Sequence, residues 1–113
     1  MSGSMRLRSD IFVAALIRAV EAQGGHGMIV RKGFAEAGAV HVEWRHRGAV
    51  GLLSPAPMAM LDGDGGRRFS PVDAADEEAI AGRMASERRF DEEAWHVEIE
   101  GVDPRSVLDV VED

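Results

Sequence analysis

Cysteine is absent from this sequence, which excludes a disulfide framework, a thiolate metal site and a cysteine nucleophile. The chain therefore needs no oxidising compartment. Long apolar runs are missing too. The longest, Ile11 to Ile17, falls far short of the ~20 residues that a membrane-spanning helix requires. It also lacks the small-residue cleavage site of a secretory signal, so it reads as structural. Basic residues are outnumbered: 13 Lys+Arg face 20 Asp+Glu, for a net charge of −7. That balance argues against a general nucleic-acid binder, whose footprint is a basic surface.

The charge is unevenly spread. Residues 1–50 hold seven Lys+Arg against four Asp+Glu, or +3, whereas residues 51–113 hold six against sixteen, or −10. Either the two halves complement each other inside one domain, or they meet across a contact between chains. A length of 113 residues fits one domain, and 45% hydrophobic with 29% charged residues is ordinary for a globular protein. Met1 to Ser4 resembles an expression scar or frayed tail, leaving residues 5–113 as a single domain.

The chain is organised around the stretch Ser9 to Gln23. Asp10, or Ser9 in its place, is the expected N-cap, and Gly24-Gly25 the stop, because glycine enters the left-handed conformation of a helix end without a Cβ penalty. Every residue from Ile11 to Val20 except Arg18 is apolar, so this helix is expected to be covered on more than one side, by a sheet and second helix or by a second copy of the chain. Gly24-Gly25-His26-Gly27 follows a helix and precedes a strand, the reverse of the order in a phosphate-cradling loop.

Met28 to Lys32 reads as a short strand. Gly38 to Arg47 is the clearest one, with Val40, Val42 and Trp44 on one face and His41, Glu43 and Arg45 on the other. Arg47-Gly48 turns it back into Ala49 to Leu53. Met58 to Leu61 and Arg67 to Phe69 are candidates for a second hairpin across Asp62-Gly63-Asp64, whose spacing fails as a calcium loop because Gly66 and Arg67 stand where a ligand and the glycine are needed. Ser70-Pro71-Val72-Asp73 has the composition of a helix start, with the helix running to about Arg89 and burying Ile80 and Met84. Trp95, Val97 and Ile99 point inward from a strand over Ala94 to Glu100, and a short strand is expected at Ser106 to Leu108. This order predicts an α+β domain, an antiparallel sheet of four to five strands packed against two helices.

Two pairs carry candidate chemistry. His41-x-Glu43 and His96-x-Glu98 have strand spacing, so imidazoles and carboxylates could converge if their strands are neighbours. Such a group has the donors for a divalent metal or for acid–base work. The plainer reading is a polar sheet face laced by ion pairs to Arg45. No Gly-x-Ser-x-Gly elbow surrounds any serine, and Ser9 and Ser70 read as caps. Trp44 and Trp95 fall on apolar strand faces and read as core. Arg31, Arg45 and Arg89 are the candidate contacts for an anionic ligand or a partner.

Arg6-Leu7 with Asp10 and Val13, then Val30-Arg31-Lys32-Gly33 with Glu36-Ala37-Gly38-Ala39-Val40, and above all Arg89-Phe90-Asp91-x-x-x-Trp95-x-Val97-Glu98-Ile99-Glu100, resemble a family of short bacterial proteins known as domain of unknown function DUF1491. The resemblance spans Met5 to about Leu108. It implies a cytoplasmic stand-alone domain, carries over no catalytic residue, and does not demand His41, His46 or His96. Within the matching segment, Phe90 and Trp95 are expected to cover the junction of second helix and last strand, Asp91 to cap the turn, and Arg89 to reach Glu98 or Asp10. The function expected is a non-enzymatic protein-interaction or regulatory binding module without cofactor or metal. Its partner would be a second copy or another protein, met through the first helix or a sheet edge, with no nucleic acid and no membrane. The alternatives are a small metal-dependent hydrolase using His41, Glu43, His96 and Glu98, and an anionic small-ligand binder.

Overall fold

The computed structural model describes residues 7–57 and 66–112. Helix α1 spans Ser9–Ala22. Its first N–H groups are met by a loop and the N-cap Arg8 makes no side-chain cap: Ser9 N–H reaches Glu36 O at 3.4 Å and Asp10 N–H reaches Ala35 O at 2.9 Å, while Asp10 accepts from Ile11 N–H at 2.8 Å. Ser9 is fully buried, its hydroxyl donating to Gly38 O at 2.5 Å and accepting from Arg67 Nη2 at 2.9 Å. The other end closes as the glycines require. Gly24, at φ +87°, donates to Glu21 O and Gly25 to Val20 O, each at 3.0 Å, the paired bonds of a Schellman motif.

Helix α1 buries Val13, Leu16 and Val20, and nothing among the described residues wraps its far side. Ile11 is 48% exposed, and Ala14, Arg18, Ala19 and Ala22 are exposed. The expectation of cover on more than one side fails because the outer apolar positions are mostly alanine, whose single methyl gives little surface to hide while its helix propensity is the highest available.

The sheet holds β1 (His26–Arg31), β2 (Val40–His46), β3 (Ala49–Pro55), β4 (Phe69–Val72) and β5 (Trp95–Glu100) in the order β1-β5-β2-β3-β4. All pairings are antiparallel except β2 with β5, which is parallel, so the sheet is mixed where a purely antiparallel one was expected. The reason is α2 (Glu77–Phe90), a crossover that returns the chain to the start of β2 before β5 begins. Arg47 and Gly48 both have positive φ, 52° and 80°, the twist of a two-residue turn that matches the flanking strands.

Two segments depart from their sequence patterns. Ser70-Pro71-Val72 is not a helix start but part of β4, where Pro71 sits on the sheet's outermost strand and needs no outward N–H. The helix instead begins after Asp76, whose carboxylate accepts from Ala79 N–H at 2.9 Å. Ser106 to Leu108 is not a strand. Pro104–Ser106 forms one 3-10 turn capped by Asp103, and Val110 then bridges to Phe69. The proposed partner strand at residues 58–61 lies outside the described residues.

Strand alternation sorts the side chains between two layers. Val40, Val42, Leu53, Phe69, Trp95, Val97 and Ile99 meet α1, with Val102 and Leu108 closing the cluster. On the opposite face α2 sets Ile80 and Met84 on Leu52 of β3, beside Val50 and Val72. Two buried side chains, at roughly 1.5–3 kcal/mol each, are a thin apolar attachment for a helix of fourteen residues. Trp95 is buried, its indole donating to Phe34 O at 2.9 Å. Phe90 is not part of the junction, being 86% exposed; it ends α2 on the side away from Ile80 and Met84. Among the described residues no helix is long and apolar enough to cross a membrane.

Candidate functional site

Beneath and beside α2 the sheet carries polar side chains in place of apolar ones. Parallel pairing of β2 and β5 sets His41 opposite His96, Glu43 opposite Glu98 and Arg45 opposite Glu100, so the two His-x-Glu pairs stand side by side. His41, Glu43 and His96 are all more than nine-tenths buried. His96 Nε2 lies 3.0 Å from Glu43 Oε1; a carboxylate only accepts, so the proton of that bond is on the imidazole. The other oxygen of Glu43 accepts from Arg45 Nη2 at 3.1 Å. The same nitrogen reaches Glu98 at 3.1 Å, and Nη1 reaches Glu77 of α2 at 2.5 Å. Hydrogen bonds to Glu98 and then Glu77 hold the Arg45 guanidinium above its usual pKa.

His41 belongs to a second branch. Its Nδ1 is 2.7 Å from Ser54 Oγ and its Nε2 is 3.9 Å from Glu87 of α2. A ring with Nε2–H facing Glu87 leaves Nδ1 to accept from the serine hydroxyl, while Glu87 stands at ion-pair and not hydrogen-bond distance from Nε2. Burial pushes the His41 pKa below 6.5, with Glu87 and Asp91 pulling it up and His96 and Arg83 pulling it down, so the neutral ring is favoured. His96 Nδ1 is buried without a hydrogen-bond partner among the described residues.

The predicted polar residues therefore meet, and Glu43, Arg45, Glu98 and His96 Nε2 engage one another. Among the described residues no group of three or more His, Asp or Glu is arranged to hold a metal ion. Of the three candidate arginines, Arg45 sits amid carboxylates, Arg31 stands on β1 in register with His96, and Arg89 is exposed on α2 without reaching Glu98 or Asp10. Asp91 does accept from Glu93 N–H at 3.0 Å, the turn-capping role expected of it.

Sequence reasoning passed over Ser54, Glu77 and Glu87. The signal for the glutamates was available: positions 77, 80, 84 and 87 follow a 3-4-3 spacing, so a helix that buries Ile80 and Met84 points both glutamates at the same sheet.

The second feature is the contrast between the sheet's two edges. β4 is four residues long, contains Pro71, and is covered by the C-terminal segment, with Phe69 N–H bonded to Asp109 O at 2.9 Å and Val111 N–H to Phe69 O at 2.8 Å. β1 has six residues, no proline, and β5 as its one neighbour among the described residues. Met28, Ile29 and Val30 are 45%, 43% and 44% exposed. A bulge between Ile29 and Arg31 breaks the register at the far end only.

Comparison with known proteins gives a consistent result. The family profile described as "Protein of unknown function (DUF1491)" matches residues 7–109. A solution structure from A. tumefaciens is 40% identical, with a TM-score of 0.82 over 96% of this chain and 98% of that one. A crystal structure of a DUF1491 family protein from Caulobacter crescentus is 35% identical, with a TM-score of 0.78 over 94% and 98% of the two chains. An NMR structure of a DUF1491 family protein from the same organism is 38% identical, at 0.77 over 94% and 97%. No curated protein matches the chain.

Proposed function

The chain belongs to the DUF1491 family, proteins of unknown function, and from that premise we propose that it is a non-enzymatic interaction module that binds protein by adding a strand to the free edge of β1. The observation that carries this reading is the difference between the edges. A sheet edge with unpaired backbone groups and exposed apolar side chains is a template for pairing, and proteins that do not use such an edge blunt or cover it. Here β4 is shortened, proline-bearing and covered, while β1 presents three consecutive exposed apolar residues. Main-chain bonds supply affinity in strand addition, and side chains on alternate faces supply selectivity.

Helix α1 packs on β1, so the edge is backed by a rigid element. Its own outer face, alanines with Arg18, offers no large anchor beyond Ile11. The partner class is a second copy of the chain or another protein, met in the cytoplasm, where a cysteine-free chain loses nothing. The hydrolase alternative has less support: the carboxylate of Glu43 is shared between His96 and Arg45, Arg45 also holds Glu98, and Ser54 occupies His41 Nδ1. Arg45 is likewise spoken for as an anion ligand.

Selection of a displayed random-peptide library on the immobilised protein tests the reading, followed by amide hydrogen exchange on the complexes. The expected result is enriched extended peptides that slow exchange at residues 27–31 and lose binding to an Ile29→Asp variant of unchanged fold. Absence of any enriched peptide, together with a monomer in sedimentation velocity, would overturn it. So would protection confined to another surface.

A further inference from the structure

Which strand the β1 edge accepts is written in the cations beside it. Arg31 closes the strand and Lys32 follows directly. Neither side chain makes an ion pair or hydrogen bond among the described residues. Arg18, Arg47, Arg88 and Arg89 are alike in this; what sets Arg31 and Lys32 apart is their place beside an exposed strand edge. Two unpaired cations at the end of an exposed apolar edge give it a positive terminus on an otherwise acidic protein.

We infer that β1 takes up an extended acidic segment of another protein, in which two consecutive acidic residues precede alternating β-branched residues. The inference rests on the strand-addition reading above and names its ligand. The direction follows from geometry. Antiparallel pairs outnumber parallel ones two- to three-fold, and an antiparallel strand places its N-terminal residues against the C-terminal end of β1, where Arg31 and Lys32 stand. Arg31 closes the strand and Lys32 continues the chain from it, so two adjacent acids answer two adjacent bases. The residues that follow lie against Val30, Ile29 and Met28, where β-branched side chains fit a pleated, half-buried surface. A second copy of the chain is the weaker occupant. Antiparallel self-pairing through residues 26–31 sets Arg31 near the Gly24-Gly25 end of its mate, with no acid of that strand to meet it.

The test uses the full chain and two fluorescein-labelled synthetic peptides, Asp-Glu-Val-Thr-Val-Thr-Val-Thr and its Lys-Lys counterpart, followed by polarisation. The acidic peptide is expected to bind at least about fivefold more tightly at low salt, with the preference shrinking at about 0.3 M salt as exposed charges are screened. The double variant Arg31→Glu, Lys32→Glu should reverse the preference, its thermal midpoint and far-UV spectrum confirming the fold. Equal binding of both peptides with β1 protected from exchange would overturn the acidic inference and leave strand addition standing. Binding of neither, with a stable dimer that protects β1, would replace the foreign segment by a second copy. Binding of neither, with β1 unprotected at every concentration, would overturn both.

Discussion

His96 Nε2 and Glu43 Oε1 meet at 3.0 Å across two parallel strands, each residue less than a tenth exposed. The bond lies in a layer where apolar side chains would pack more simply, and it ties β5, the strand that carries β1, to β2 at the middle of the sheet. Removing one member of such a pair leaves the other buried without a counterpart. Glu43→Ala is therefore expected to lower the unfolding free energy by about 3 kcal/mol in urea denaturation. A loss below about 0.5 kcal/mol would show that His96 and Arg45 find other partners.

Acid is expected to weaken the fold through His41. Burial depresses its folded-state pKa below the ordinary 6.5, despite Glu87 and Asp91. The unfolded chain thus takes up a proton at a pH where the folded one resists it, and stability drops as pH falls through 6.5 towards the lower folded value. Above 6.5 the contribution is fully present. Denaturation curves at a series of pH values should show a steeper acid loss for the wild type than for His41→Gln; parallel profiles would remove His41 from the account.

Glycines make opposite predictions at two positions. A Cβ on Gly38 would strike the carbonyl oxygen of Glu93, a backbone atom that cannot swing aside, so Gly38→Ala should cost roughly 1–3 kcal/mol. Gly82 lies exposed inside α2 with open space around it, and Gly82→Ala should gain about 1 kcal/mol in helix propensity. Thermal midpoints that move the same way for both variants would contradict this.

Arg47 holds φ 52° in the β2–β3 turn, a conformation that penalises most L residues. Arg47→Asn, with a side chain more tolerant of that region, is expected to raise stability by up to about 1 kcal/mol, read as a higher denaturation midpoint with unchanged slope.

Much of the fold was legible because it rests on periodicity. The alternation in Val40 to Trp44 and in Trp95 to Ile99 placed the core face correctly, and the Gly24-Gly25 stop held. What misled was local composition overruled by long-range pairing. Ser70-Pro71-Val72 has the residues of a helix start, yet pairing with Leu52 and Leu53 made it an edge strand. Parallel pairing of β2 with β5 cannot be read from either strand alone, and it decided that His41 and His96 would be neighbours. The open edge was least legible of all. Met28-Ile29-Val30 reads only as part of a short strand, and strand order is what shows that it lies on an edge facing solvent.

Strand order also has a consequence for the making of the protein. β1 leaves the ribosome well before β5, the strand it hydrogen-bonds to. Throughout synthesis of the intervening residues, Met28, Ile29 and Val30 have neither their native neighbour nor a finished sheet behind them. The nascent chain must wait for Trp95–Glu100 to slot between β1 and β2, so assembly depends on contacts far apart along the chain and proceeds slowly.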